Sequence, residues 1–204
     1  EGHIRAEFRD KNRTTVSSAV GLTGSLARGS LAIDVKEAAG NLEWNESGLT
    51  GLAQAVIGHA GRINTRLTSP DPARPGLPDR GEFRFSADHI EASLIQPWLP
   101  QPLSMTGTVS CKAAGKLLPG LRLDATGEFR LSQGAFSLQE KKGIVTAQAE
   151  KAQLRWTWRE KTLSGDIDIL LANHGSLKAE FRLPVEASFP VVPDAEGPVQ
   201  AAAR

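Results

Sequence analysis

The chain has 204 residues, 40% of them apolar, and its 24 basic and 23 acidic side chains leave a net charge of +1. With no basic block to grip a phosphate backbone, nucleic acid is not expected as a partner. The single cysteine, Cys111, excludes an intrachain disulfide and a cysteine-rich metal site, and beside Lys112 it reads as a small strand residue rather than a reactive thiol.

No run approaches the roughly 18 to 20 apolar residues of a membrane helix. The opening EGHIRAEFRD reads as a strand and not as a signal peptide. The chain begins without methionine and closes on a flexible Pro/Ala-rich tail, 191–204, so it is expected to be a piece of something longer, with any export signal or anchor outside it.

In chain order, HIRAEF, RTTVSSAV, SLAIDVK, NLEWN, LTGLAQAVI and GRINTRL read as strands punctuated by Gly21, Gly24, Gly29, Gly40, Gly48, Gly58 and Gly61 as turns or bulges. Leu49, Leu52, Ala53, Val56 and Ile57 also fit a helical period, but Gly48, Gly51 and Gly58 favour a strand there. The Pro/Gly-rich stretch 69–80 must be a loop, dividing a first β segment (1–68) from a main one (81–190). After GEFRFS, which sets Phe83 and Phe85 on one side, ADHIEASLIQPWLP predicts one short helix near 88–96, capped by Asp88 and ended by Pro97.

From Pro102 onward strands return, and the alternation becomes regular. Leu121, Leu123, Ala125, Gly127, Phe129 and Leu131 alternate with Arg122, Asp124, Thr126, Glu128 and Arg130, the period of two of a strand with one dry face. The same rule sets Leu154, Trp156 and Trp158 against Gln153, Arg155 and Thr157. It also sets Ile167 and Ile169 against Asp166 and Asp168, and Phe181 and Leu183 against Glu180 and Arg182. The tetrapeptides AEFR at 6–9, GEFR at 81–84 and 127–130 and AEFR at 179–182 recur too unevenly for a solenoid.

Chemistry is sparse. His3, His59, His89 and His174 are far apart and match no metal-ligand spacing, and no nucleophile elbow, phosphate loop or dinucleotide fingerprint occurs. Asp166 and Asp168 share a wet face, where charges that keep a strand soluble are a stronger reading than a cation site. The sequons at Asn12 and Asn45 are of a kind that arises by chance. With no convergence of titratable groups, neither catalysis nor a metal nor a cofactor is expected.

What remains is a dry face free of charges, suited to hydrocarbon. The expected fold is mainly β: a long curved or rolled sheet, gutter-like, with an apolar concave face. That face is lined by Phe83, Phe85, Leu121, Leu123, Phe129, Leu131, Leu154, Trp156, Trp158, Ile167, Ile169, Phe181 and Leu183. A strand of about 11 residues spans roughly 35 Å, so cargo is expected to slide along that strip, gaining about 0.8 kcal/mol per CH₂ removed from water.

The succession IEASLIQPWLPQPLSMTGTVSCKAAGKLLPGLRLDATGEFRLSQGAFSL, then AQLRWTW and LSGDIDILLANHGSLKAEFRLP, resembles the TamB and AsmA-like family of Gram-negative envelope proteins over about residues 80–185. Gly175, Ser176, Leu183 and Pro184 carry the later part of the match, and Cys111 departs from a usual glycine. The resemblance implies a periplasmic protein anchored in the inner membrane. It implies work in outer-membrane biogenesis, with phospholipid acyl chains or nascent outer-membrane proteins as cargo and a TamA-like barrel as partner. An open sheet edge would also allow strand addition. Two rivals are a transmembrane barrel and a closed β-sandwich acting as an adhesin or carbohydrate-binding module.

Overall fold

The computed structural model describes residues 16–28, 31–72, 78–98, 102–120, 122–140, 143–172, 175–187, 192–193 and 200–203. His3, Asn12, Leu121 and His174, the first AEFR and most of the 191–204 tail lie outside them. The strands are β1 (Val16–Arg28), β2 (Leu31–Asn45), β3 (Gly48–Ile57), β4 (Gly61–Ser69), β5 (Gly81–Glu91), β6 (Leu103–Leu118), β7 (Arg122–Glu140), β8 (Gly143–Arg159), β9 (Thr162–Leu171) and β10 (Gly175–Leu183). The short pieces β11 (Val185–Glu186), β12 (Val192–Pro193) and β13 (Gln200–Ala203) follow, and a 3₁₀ helix (Ala92–Trp98) joins β5 to β6.

β1 to β10 pair in sequence order as an antiparallel meander, β13 adds to β10, and the result is one open sheet of 11 strands. β4 and β5, on either side of the proline-rich loop, are direct neighbours. β11 and β12 form a separate two-stranded ribbon. A second large sheet, which a closed sandwich requires, is absent among the described residues.

Several predicted breaks are continuous strand. SLAIDVK and NLEWN run together in β2, where Gly40 sits mid-strand opposite Ala53. Gly24, by contrast, does mark a bulge in β1. The predicted helix starts later: β5 continues to Glu91, because Ile90 and Glu91 pair with Val109 and Thr108 of β6. Asp88 lies opposite Arg62 on β4 and caps nothing. Those ladder bonds satisfy the backbone that a helix would otherwise have to satisfy alone.

Register sorts the side chains onto two faces. One row runs Val20, Gly40, Ala53, Thr65, Phe85, Ala113, Gly127, Trp156, Gly165, Phe181, each opposite the next. Two residues along every strand lies Leu22, Ala38, Ala55, Ile63, Ala87, Cys111, Phe129, Leu154, Ile167, Ala179; two residues the other way lies Leu42, Gly51, Leu67, Phe83, Gly115, Ala125, Trp158, Leu163, Leu183. These three rows hold no charge. The opposite face is charged, and its cross-strand neighbours mostly differ in sign, as in Lys112, Glu128, Arg155, Asp166 and in Glu82, Lys116, Asp124, Arg159. Such pairing fixes register by tenths of a kcal/mol to about 1 kcal/mol per pair.

Candidate functional site

Every lining residue expected from the sequence, Leu121 apart, falls on the apolar face. The face divides into covered ends and a half-buried middle. At one end Ile57, Ile90, Met105, Val109, Leu131 and Ala152 are buried in a cluster against which Leu94 and Ile95 of the 3₁₀ helix pack. The helix reaches β2 as well as β5 and β6, so the curved sheet is closed across this end. Gln96 pins it, donating to the Leu103 carbonyl at 2.8 Å and accepting from the Met105 N–H at 3.1 Å, as a neighbouring strand would.

At the other end two segments close over. Over β7 to β9, the Trp158 indole donates to Val185 O at 3.0 Å, the Leu123 N–H to Ala187 O at 2.7 Å, and Ala187 itself is 0% exposed. Over β2 to β5 the cover is the loop held by Asp71. Its carboxylate accepts from the N–H groups of Asp79 (2.8 Å) and Arg80 (2.9 Å) and from the Arg80 guanidinium (3.0 Å), while its carbonyl accepts from the Trp44 indole (2.9 Å). Burial alone would raise the pKa of Asp71, but the bonds from Arg80 and Asp79 and the Arg80 charge outweigh it and hold the carboxyl below its ordinary value. Sequence reasoning passed over Asp71, whose only signal was an acidic residue inside a proline-rich loop.

Between these ends no large side chain of the three central rows is buried; only Gly51, Ala87 and Ala125 are. Phe83, Leu154, Trp156, Ile167, Phe181 and Leu183 are half-buried there, as are Phe85 and Phe129, which pack on the helix-end cluster, and Trp158, which is bonded to Val185 at the other end. Leu131 belongs instead to the closed helix end, at 3% exposure, with Ile169 packed on the same cluster, and Leu123 lies under the Ala187 strap. Covering segments therefore lie across the path expected along the strands. The three charge-free rows themselves extend across the strands, about 43 Å from β1 to β10 and about 13 Å between the outer rows.

A cavity of about 260 Å³ opens on this face beside Val20, Leu22, Ala38, Ala55 and Ile63. A larger hollow, about 1640 Å³, takes three consecutive residues from each of β2 to β10, among them Arg84, Phe85 and Ser86 and, on β8, Arg155, Trp156 and Thr157. Side chains alternate, so a space touching i−1, i and i+1 of each strand but neither i−2 nor i+2 lies on the face of the outer pair. The hollow is thus a furrow between charged rows, floored by backbone, on the side away from the hydrocarbon-like face.

The charged face is locked by ion pairs. Asp124 accepts from Arg159 at 2.7 Å, Asp168 from Lys151 at 3.0 Å, and Glu128 from Arg130 and Gln153. The Arg130 bond, opposed by some desolvation and aided by Gln153 and Arg155, keeps the Glu128 pKa low; the Lys151 bond does the same for Asp168. Asp168 is thus engaged, and no group of three or more His, Cys, Asp or Glu able to hold a metal occurs among the described residues. Cys111 sits between Ala87 and Phe129 on the apolar face, where burial raises its thiol pKa. Asn45 turns inward on its own hairpin, its Oδ1 accepting from the Ser47 N–H at 2.8 Å.

No protein-family model, no curated protein and no solved structure matches this chain.

Proposed function

We propose that this chain is a non-enzymatic segment of a TamB-like or AsmA-like periplasmic protein. Its apolar face carries phospholipid acyl chains between the inner and outer membranes, with assistance to outer-membrane protein assembly as the companion role of the full-length, inner-membrane-anchored protein and its TamA-like barrel partner. The observation that supports this reading is a charge-free face of large apolar side chains that stay only half-buried between covered strand ends. A sheet this wide gains about 25 cal/mol for each Å² of apolar surface it covers, and large exposed apolar patches mark binding sites. Acyl chains laid across the strands supply that cover without needing a single polar contact.

The test is lipid extraction and mass spectrometry of the purified chain, paired with transfer of labelled phospholipid between vesicles. Phospholipid bound to the wild type and lost in Leu154→Glu and Ile167→Glu, with strand content unchanged, is the expected result. A folded wild type that carries no lipid and moves none overturns the reading.

A further inference from the structure

We infer that Gly115, Gly127 and Gly165 are seats for aromatic rings that set the depth of the trough, shaping it for long alkyl chains lying flat on ring faces; the second clause rests on the lipid reading above. Phe83 lies opposite Gly115, Trp156 opposite both Gly127 and Gly165, and Phe181 opposite Gly165. A Cβ at position 115 or 165 would come within 2.8 Å of the facing phenylalanine ring. At 127 the three nearest atoms would all belong to the Trp156 indole, with Nε1 at 2.7 Å and Cε2 and Cζ2 closer still. Each ring therefore reaches over its neighbouring strand into the space that a methyl group would fill.

None of the three has a left-handed φ, unlike Gly24 or Gly107, but at 115 and 165 a Cβ would also meet a backbone oxygen, of Asp124 and of Arg155, closer than the ring, so Gly127 is the seat where a ring alone sets the limit. A glycine inside a strand costs roughly 0.5–1 kcal/mol relative to alanine, so what these glycines provide is room. Opposed Cβ atoms in an antiparallel pair are about 4.5–5.5 Å apart; with a side chain on the partner, an indole or phenyl ring has to stand up from the sheet. Standing in a trough about 13 Å wide, it would be a post in the path of the cargo. Lying down, it paves the floor and offers its face to methylene groups. Phe83, Trp156 and Phe181 are half-buried.

Gly127→Ala is the cleanest variant, because Trp156 supplies all three of the nearest atoms. Two readouts are taken: uptake of pyrene-labelled phospholipid from phosphatidylethanolamine/phosphatidylglycerol vesicles, and acrylamide quenching of tryptophan fluorescence without lipid. Gly127→Ala is expected to keep its strand content, quench more readily and take up lipid roughly tenfold less well, the equivalent of losing about two buried methylenes. Adding Trp156→Ala removes the post and restores uptake to the level of Trp156→Ala alone. If Gly127→Ala unfolds, recovery of the fold in the double variant supports the seat and failure to recover overturns it. Unchanged quenching and uptake in a folded Gly127→Ala also overturn it. A wild type that takes up no lipid while Gly127→Ala still raises quenching leaves the ring seat standing and brings down the cargo reading.

Discussion

Beside the 3₁₀ helix, Val109 and Leu131 are 3% exposed and Ala92 1%, whereas farther along the same sheet face Leu154, Trp156 and Ile167 stay half-buried. The strands are the same and so is their alternation. What differs is what lies on top, and every covering group comes from outside the meander: Leu94, Ile95 and Gln96 at one end, Ala187 and the Asp71 loop at the other. Alternation thus makes a face dry, and connections decide which parts of it are closed. A domain seeking stability alone would cover the middle, where the largest side chains are.

The contrast is sharpened first by truncation. Leu131→Ala empties an enclosed site and is expected to cost about 2–5 kcal/mol in urea unfolding. Leu154→Ala, in the open middle, is expected to cost about 1 kcal/mol, because solvent already reaches it and no sealed cavity results. Equal losses would erase the distinction between end and middle.

Asp71→Asn probes the cover at the other end. The mutant should be cut faster by trypsin after Arg80 at neutral pH, with the β4 and β5 ladder intact. Because the native pKa of Asp71 lies below its ordinary 3.8, its contribution is complete at neutral pH. That contribution fades as pH falls past 3.8 toward the lowered native value. Acidification across that range should therefore weaken the wild type more than Asp71→Asn. Identical acid profiles would mean that the loop is held by something else.

The smallest effect concerns the charged side. Arg66 and Arg84 face each other across β4 and β5, a like pair, as Asp166 and Glu180 are across β9 and β10, where most neighbours differ in sign. Arg84→Glu turns a like pair into an unlike one and should gain about 0.2–1 kcal/mol, visible as a raised Tm. A loss would show that the paired guanidinium groups have a use of their own.

The sequence made the dry face legible because a period of two needs only local information. Phe83, Phe85, Trp156 and Phe181 share one face for that reason, and β3 was separated from a helix by its glycines. The direction of the trough was not legible. It depends on the covers, and Asp71 and Gln96 act through contacts formed only after strands distant in sequence have paired. The break predicted at Gly40 and the helix predicted from Asp88 failed for a related reason: ladder bonds to β3 and to β6 outweigh local preference. The glycine seats are likewise invisible without register, since Gly127 and Trp156 are joined by pairing and not by proximity along the chain.

The central claim is that hydrocarbon lies across the middle of the apolar face. A photoreactive side chain placed in turn at Leu154, at Leu131 and at Leu52, which is 44% exposed on the charged face, tests it in living cells. The account predicts phospholipid adducts at Leu154 and none at Leu131 or Leu52. Adducts as abundant at Leu52 as at Leu154, or none at Leu154, would contradict it.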